Sequence, residues 1–285
     1  MTKKQKIRTL VILGVLLVLT IIGIILTNGQ YEKHETIKEV MRDAVLHEDG
    51  KIRFFGLSAN PSVVSGFIVT CIILLFALIV RLFFLPRFKE VPGKFQLLIE
   101  TWVETFRNLA EGNSKHINKF LGAYVFAAGS YIFVGTCFEL FGIQCETIKG
   151  NSIALPAPLA DINGAISIGV LSYLVILSGG IAGNKLKGVG LTLKEFSLPI
   201  SMSFRLFGAL LSGALVTELV YFYINLSFGL PVVVGLLFTA LHALIQAYVL
   251  CMLTTVFYGE VSEPVAKKEK KKKDKKTKAK VMEEL

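Results

Sequence analysis

Charge is what most of this chain lacks. Asp, Glu, Lys and Arg together make up 18% of the residues, whereas soluble globular chains carry about a quarter. The charges that exist collect at the two ends and in a few short loops, and the long stretches between them hold almost none. Cysteine and histidine are also scarce. Cys71, Cys137, Cys145 and Cys251 form no Cys-x-x-Cys pair and have no histidine cluster beside them, so neither a zinc site nor a redox motif is signalled. Three of the four fall in apolar runs and read as small core residues. There is no phosphate loop, no metal-ligand spacing and no nucleophile triad. The chain by itself is therefore expected to catalyse no covalent chemistry and to hold no cofactor or metal. The net charge of +10 does not point to nucleic acid, because most of the excess sits in the terminal run from Lys267 to Lys280.

What fills the chain is apolar sequence: 53% of the residues are hydrophobic and the mean hydropathy is +0.62. A backbone that crosses lipid must satisfy its own hydrogen bonds, which leaves helices or closed barrels. The apolar runs are continuous rather than alternating, which favours helices, and a helical span needs roughly 20 residues. Six such segments run approximately over Leu10–Leu26, Val63–Leu85, Phe120–Phe141, Ala165–Ala182, Phe196–Phe228 and Leu230–Tyr258. The fifth is too long for a perpendicular span and is expected to tilt, to bend near Pro199, or to lie partly in a protein interface. The first follows Lys3, Lys4, Lys6 and Arg8, which is also how a signal peptide begins. No small-x-small cleavage pattern follows it, and we read it as a retained span. The expected fold class is an all-α membrane protein of about six transmembrane helices, the last two forming a long tilted hairpin.

Basic residues set the orientation. They mark the N-terminus, the end of span two (Arg81, Arg87, Lys89, Lys94), the loop after span four (Lys185, Lys187, Lys194) and the C-terminal tail. The segment 142–163 offers only Lys149, the turn near Gly229 offers nothing, and the first long loop mixes both signs. This alternation predicts six spans with both termini in the cytoplasm. Between spans two and three, Phe95, Leu98, Ile99, Trp102, Phe106 and Leu109 recur at helical spacing among polar residues. They predict an amphipathic helix over Lys94–Glu111, either lying in the membrane interface with Trp102 as its anchor or packed on protein. From Glu263 onward the composition is low-complexity and charged, so it buries little and is expected to be disordered. A tail of this kind either attracts anionic lipid or simply fixes topology and solubility. The organisation expected is an anchor span and outer loop (1–62), a membrane domain (63–258) and a lysine-rich tail (259–285).

One residue breaks the pattern. Arg205 lies inside the fifth apolar run, with no other basic residue between Lys194 and His242. Arginine at the centre of a lone helix costs about 2.5–3.5 kcal/mol on insertion scales, and its pKa above about 12 prevents escape by deprotonation. Snorkelling or a structural ion pair would also place an arginine there. However, the only acid in the run is Glu218, about 20 Å farther along at 1.5 Å per residue. Arg205 thus has no partner within its own helix, and a partner from elsewhere is implied.

The stretch Phe-Arg205-Leu-Phe-Gly-Ala-Leu-Leu-Ser-Gly213 resembles the signature of subunit a of the F-type ATP synthase, Arg-Leu-Phe-Gly-Asn followed by Ala-Gly. Downstream, Leu244-Ile245-Gln246-Ala247-Tyr248-Val249, ending in Thr254-Thr255-Val256, is similar to that family's last helix. Upstream, Asp161-Ile162-Asn163 resembles its Asp-Leu-Asn segment, preceded by Pro156 and Pro158. Lys94-Phe95-Gln96 with Glu100 resembles its interfacial helix. The resemblance covers approximately Pro92 to Tyr258. Three positions depart from the pattern: Ala209 replaces the family's Asn, Ala214 stands where an acid or histidine follows the second glycine, and Glu139 replaces an Asn in the third span.

The resemblance implies a stator that works against a ring of c-subunit hairpins, each carrying one mid-membrane carboxyl. It further implies attachment to b-type peripheral stalk subunits, contact with membrane lipids, a bacterial inner-membrane location, and a proton or sodium ion as the only small species handled. Arg205 would separate two half-channels, with Gln246 holding the guanidinium or serving only in helix packing. The inner path would pass Glu195, Ser201 and Ser203, Glu195 being otherwise a solvated interface acid. The outer path would use Glu139, Asp161, Asn163, Glu218 and His242. Glu218 and His242 lie at nearly equal distances on either side of Gly229, so in an antiparallel hairpin they meet either as a proton relay or as a structural pair. A different class of protein also fits the composition: a self-contained secondary transporter or channel whose Arg205 binds an anion. Transporters often show an internal repeat, and none is visible here.

Overall fold

A computed structural model describes residues 3–27, 36–46, 50–114, 119–150, 152–222 and 230–264. It is a helical membrane-protein architecture. Six helices are long and apolar enough to cross a bilayer, and the strands amount to two small hairpins. The first span, α1 (Lys3–Thr27), has none of its most apolar window buried against the rest of the chain. The short amphipathic α2 (Ile37–Leu46) packs against the fifth span. It begins with a capping box, in which the Thr36 N–H and hydroxyl both donate to Glu39 Oε2, at 2.8 and 2.9 Å.

The hairpin β1 (Ile52–Phe54) and β2 (Leu57–Ala59) turns through Phe55 and Gly56, both at positive φ, as a two-residue turn of the right hand requires. Span two is α3 (Pro61–Ile79). Its N-cap Asn60 accepts from the Ser62 N–H, and Pro61 sits at the first helical position, where its missing N–H costs nothing. α3 runs into a π-turn (Val80–Phe84), then a 3-10 turn (Leu85–Arg87) carrying Pro86. The amphipathic helix is α4 (Lys94–Asn113). Its Trp102 packs on protein, donating Nε1–H to Ser130 Oγ at 3.0 Å and stacking edge-on against Phe106. Of the apolar stripe of α4, Trp102, Phe106 and Leu109 pack on protein, whereas Phe95 and Leu98 are exposed.

Span three, α5 (Lys119–Phe138), ends in a 3-10 turn (Glu139–Phe141). A second hairpin follows, β3 (Gln144–Glu146) with β4 (Ser152–Ala154), joined to the first by the Ile148 N–H bond to Lys51 O. Ile52, Val64, Val69, Phe138 and Leu155 form a small core beneath the two hairpins.

Span four is α6 (Ile162–Leu193), which is two helices across a break at Lys185 (φ 52, ψ −130). The Tyr173 hydroxyl donates to Thr192 O at 3.1 Å, whereas in a straight helix those residues would be about 28 Å apart. The chain therefore doubles back, with Gly180 and Gly188 packed so closely that a Cβ on Gly188 would lie 1.8 Å from Gly180 O. Adjacent to the break, Asn184 Nδ2 donates to the Val261 and Glu263 carbonyls at 2.8 and 2.9 Å, capping the last helix.

Span five is α7 (Ser197–Phe222), and positions 223–228 of the expected run lie outside the described residues. Pro199 sits in its first turn, where it removes no helical hydrogen bond. The 26 residues of α7 extend about 39 Å, beyond a hydrocarbon core of about 30 Å, and so require tilt. Span six is a continuous rod of α8 (Leu230–Gly235), a π-turn (Leu236–Ala240) and α9 (Leu241–Ser262). The main core lies where α4, α5, α6, α7 and α9 meet, around Phe106, Leu121, Ile132, Ile176, Met202, Leu206 and Leu250. Small residues set these approaches: Gly179 faces the Tyr258 ring, and Gly169 lies under Ser203.

Candidate functional site: the exposed face of α7

On α7, Pro199, Met202, Ser203, Leu206 and Leu210 are buried, a helical stripe turned to α6. The opposite stripe, Ser201, Arg205, Gly208 and Ser212, is exposed. Three of these four residues are small, and nothing lies within 4 Å of a Cβ built on Gly208. The face is therefore a shallow polar track with one long cation in it. Among the described residues no hydrogen bond or ion pair reaches Arg205. Its depth follows from the α6 reversal. Because the chain doubles back after Lys185, α7 runs alongside the first limb of α6, with Ser203 against Gly169, seven residues in from the start of that limb. Arg205, two positions on, thus lies beside the apolar first limb of α6 rather than at the turn that joins the two helices. On α9 the exposed stripe carries no charge over its first three turns and is mostly apolar: Leu241, Leu244, Ile245, Tyr248 and Met252.

The other sequence-predicted positions fall in several places. Gln246 is 7% exposed, on the buried stripe of α9 with Ala243, Ala247 and Leu250, and no hydrogen bond joins it to Arg205. Ser201 shares the face of Arg205. Ser203 does not: its hydroxyl donates back to Pro199 O at 2.7 Å inside the α6–α7 contact. Glu195 is half-buried in the turn between α6 and α7, its N–H bonded to Thr192 O. Glu139 is half-buried in the turn that ends α5, and that turn packs against the π-turn of span six.

His242 follows that π-turn directly. Its Nδ1–H donates to Phe238 O at 2.6 Å and its ring stacks on Phe238. Glu218 is half-buried on α7. Asp161 caps α6, accepting from the Asn163 N–H at 2.6 Å; Asn163 itself is exposed.

The sequence reading did not single out Asn60, whose side-chain Nδ2 donates to the Asp161 carboxylate. The available signal was Asn immediately before Pro at the head of an apolar run, an N-cap pattern, but nothing in it names the partner. Among the described residues no group of three metal-ligating side chains comes together. An open groove of about 520 Å³ lies between α4 and α5, lined by Val103, Arg107, Ala110, Glu111, Gly122 and Phe126. There the Glu111 carboxylate, bonded at 2.7 Å, raises the Arg107 pKa and compensates its charge.

Comparison with known proteins gives the family. Residues 64–259 match the family model described as ATP synthase A chain. The chain is 27% identical over 203 residues to ATP synthase subunit a of Histophilus somni (strain 129Pt), which covers 59% of this chain and 76% of that protein. It is 26% identical over 215 residues to ATP synthase subunit a of Glaesserella parasuis serovar 5 (strain SH0165), covering 62% and 81% respectively. The match spans α3 to α9 and includes Arg205 and Gln246, and this multi-pass membrane protein belongs to the ATP synthase A chain family.

Proposed function

We propose that this chain is the stator subunit of an F0 rotary motor, giving a ring of c subunits two ion half-channels and coupling proton or sodium flow to ATP synthesis or hydrolysis. The observation that carries the reading is Arg205, a permanent charge on the exposed face of a spanning helix with no partner among the described residues. Such a charge is costly in lipid and becomes favourable only opposite an anion from another chain. The small residues beside it, Ser201, Gly208 and Ser212, let a neighbouring helix approach, as small residues do in membrane interfaces.

The mechanism follows from charge. A neutral ring carboxyl tolerates lipid, while an ionised one does not. As a ring carboxyl passes Arg205, the guanidinium favours its ionised form and the ion is released. The same fixed charge repels a cation trying to pass directly between the half-channels. Driving energy is about 2.3 kcal/mol per charge per 100 mV. In this reading Glu195 and Ser201 line the inner path, with Ser203 on the wall behind it. Glu139, Asp161, Asn163, Glu218 and His242 serve the outer one, and Gln246 orders α9 behind the track. Both termini face the cytoplasm, the b-type stalk subunits hold the chain against the ring's rotation, and the lysine tail follows the membrane domain.

Affinity purification of the tagged chain from mild detergent tests the reading. A ring of small hairpin subunits is expected to co-purify. A stable, monodisperse preparation without it, binding a small anion through Arg205, would replace the stator with a self-contained transporter.

A further inference from the structure

Two spanning helices that begin about a hundred residues apart in sequence share one polar contact at their N-termini (separation 101 residues). Asn60 caps α3 with Oδ1, which accepts from the Ser62 N–H at 3.2 Å. Its other amide atom, Nδ2, donates to Asp161 Oδ2. Asp161 Oδ1 accepts from the Asn163 N–H at 2.6 Å and caps α6. The contact is thus a closed relay of two N-caps joined through an amide and a carboxylate.

The surrounding packing leaves little room for it to drift. The first turn of α3 lies on the turn Pro158–Ala160 that leads into Asp161. Ser62 and Ser65 are buried there, and a Cβ on Gly66 would come 3.2 Å from the Tyr131 hydroxyl. Asn60 lies just outside the stretch that matches the family model, which starts at residue 64.

A cap requires only an oxygen at this position, and Asp or Ser supplies one as well as Asn. The bridge requires more. An Asn has both an acceptor for its own helix and a donor for the facing carboxylate. Aspartate would oppose one carboxylate with another, and serine is too short to reach across. The sequence therefore holds, at the head of α3, the residue that performs both tasks.

We propose that Asn60 is a positioning residue of the outer half-channel, its amide holding the Asp161 carboxylate in one orientation at the channel mouth. This rests on the placement of Asp161 in that half-channel given above. The charged or titratable groups carried by the elements packed around Asp161 are Cys71 on α3, Lys119, Tyr124, Tyr131, Cys137 and Glu139 on α5 and its terminal turn, Tyr173, Lys185 and Lys187 on α6, Arg205, Glu218 and Tyr221 on α7, and Arg53 on the neighbouring hairpin. The hydrogen bonds of the Asp161 carboxylate itself go to Asn60 and Asn163.

The test uses the whole complex in inverted membrane vesicles, with ATP-driven ion uptake followed against pH and the amount of assembled chain measured by immunoblot. Asn60→Ser keeps the α3 cap but loses the bridge. It is expected to assemble normally while flux falls about ten-fold, the scale of one charge-assisted hydrogen bond. Asn60→Asp places two carboxyl groups in contact. Like charges that close cannot both ionise, so one proton is retained, and the acid limb of the flux profile moves up by about one pH unit or more. Wild-type flux and pH profile in Asn60→Ser, or an unmoved profile in an assembled Asn60→Asp, would reduce Asn60 to a helix cap and overturn the proposal. Asp161→Asn separates the two claims. If it is impaired while Asn60→Ser is normal, only the role of Asn60 falls; if it conducts normally, Asp161 leaves the path and the proposal falls with it.

Discussion

Replacing Arg205 by alanine is expected to leave the protein inserted and assembled while abolishing coupled ion transport. Most removals of a membrane charge strand its partner and destabilise the fold. Here no partner among the described residues is stranded, because Arg205 lies on the exposed stripe of α7. Insertion of α7 becomes easier by the cost of a central arginine, about 2.5–3.5 kcal/mol, so the amount of chain in the membrane holds or rises. Function moves the other way. A guanidinium about 4 Å from a ring carboxylate, at an effective dielectric near 20, is worth about 4 kcal/mol. That corresponds to about three units on the acid's pKa. Without it, a ring carboxyl arriving at α7 keeps its proton at neutral pH and release fails.

The assay is ATP-driven acidification of inverted vesicles, alongside ATP synthesis under an imposed gradient and an immunoblot for the chain. Arg205→Lys is expected to be severely impaired as well, because a buried lysine loses its proton and lacks the planar fork. Coupled pumping at the wild-type rate in either variant would refute the reasoning. Loss of the chain from the membrane in Arg205→Ala would refute the claim that the arginine's partner lies outside this polypeptide.

Three further outcomes are expected. Gly179→Leu should lower assembled protein sharply, since even a Cβ there would lie 2.4 Å from Tyr258 Cε2 on a ring that is 2% exposed; overpacking of this kind costs about 1–3 kcal/mol or more, and unchanged abundance would contradict the α6–α9 contact. In right-side-out cells Cys145, half-exposed on β3, should react with an impermeant thiol reagent while the lysine tail resists added protease; cleavage of the tail from outside would reverse the topology. Glu218→Gln should assemble normally and pass ions slowly, and wild-type flux in that variant would remove Glu218 from the outer path.

The number of spans was legible because apolar length alone decides it: α3, α5, α6, α7 and the rod ending in α9 each contain a run that no soluble helix needs. The anomaly of Arg205 was equally plain, since one charge in an apolar run requires no neighbours to be noticed. The amphipathic stripe of α4 is a local pattern, set within a few residues, and it too was readable. What the sequence did not decide were contacts between distant segments. Trp102 was compatible with an interfacial anchor until α5 supplied Ser130 as its partner. Ser201 and Ser203 read alike in sequence, yet the helical period turns one toward Arg205's face and the other into α6.

The depth of Arg205 depended on the reversal at Lys185, a non-glycine residue in the left-handed region that no local signal announces. It is held there by the Gly180–Gly188 approach and the Tyr173–Thr192 bond. Asn60 was not singled out, because the carboxylate it bridges lies on a different helix. Composition and periodicity by themselves determined that this chain lives in a membrane and carries one exceptional charge. Tertiary packing alone decided which face and what depth that charge occupies, because side-chain direction and long-range approach are properties of the folded assembly of helices and not of any single run.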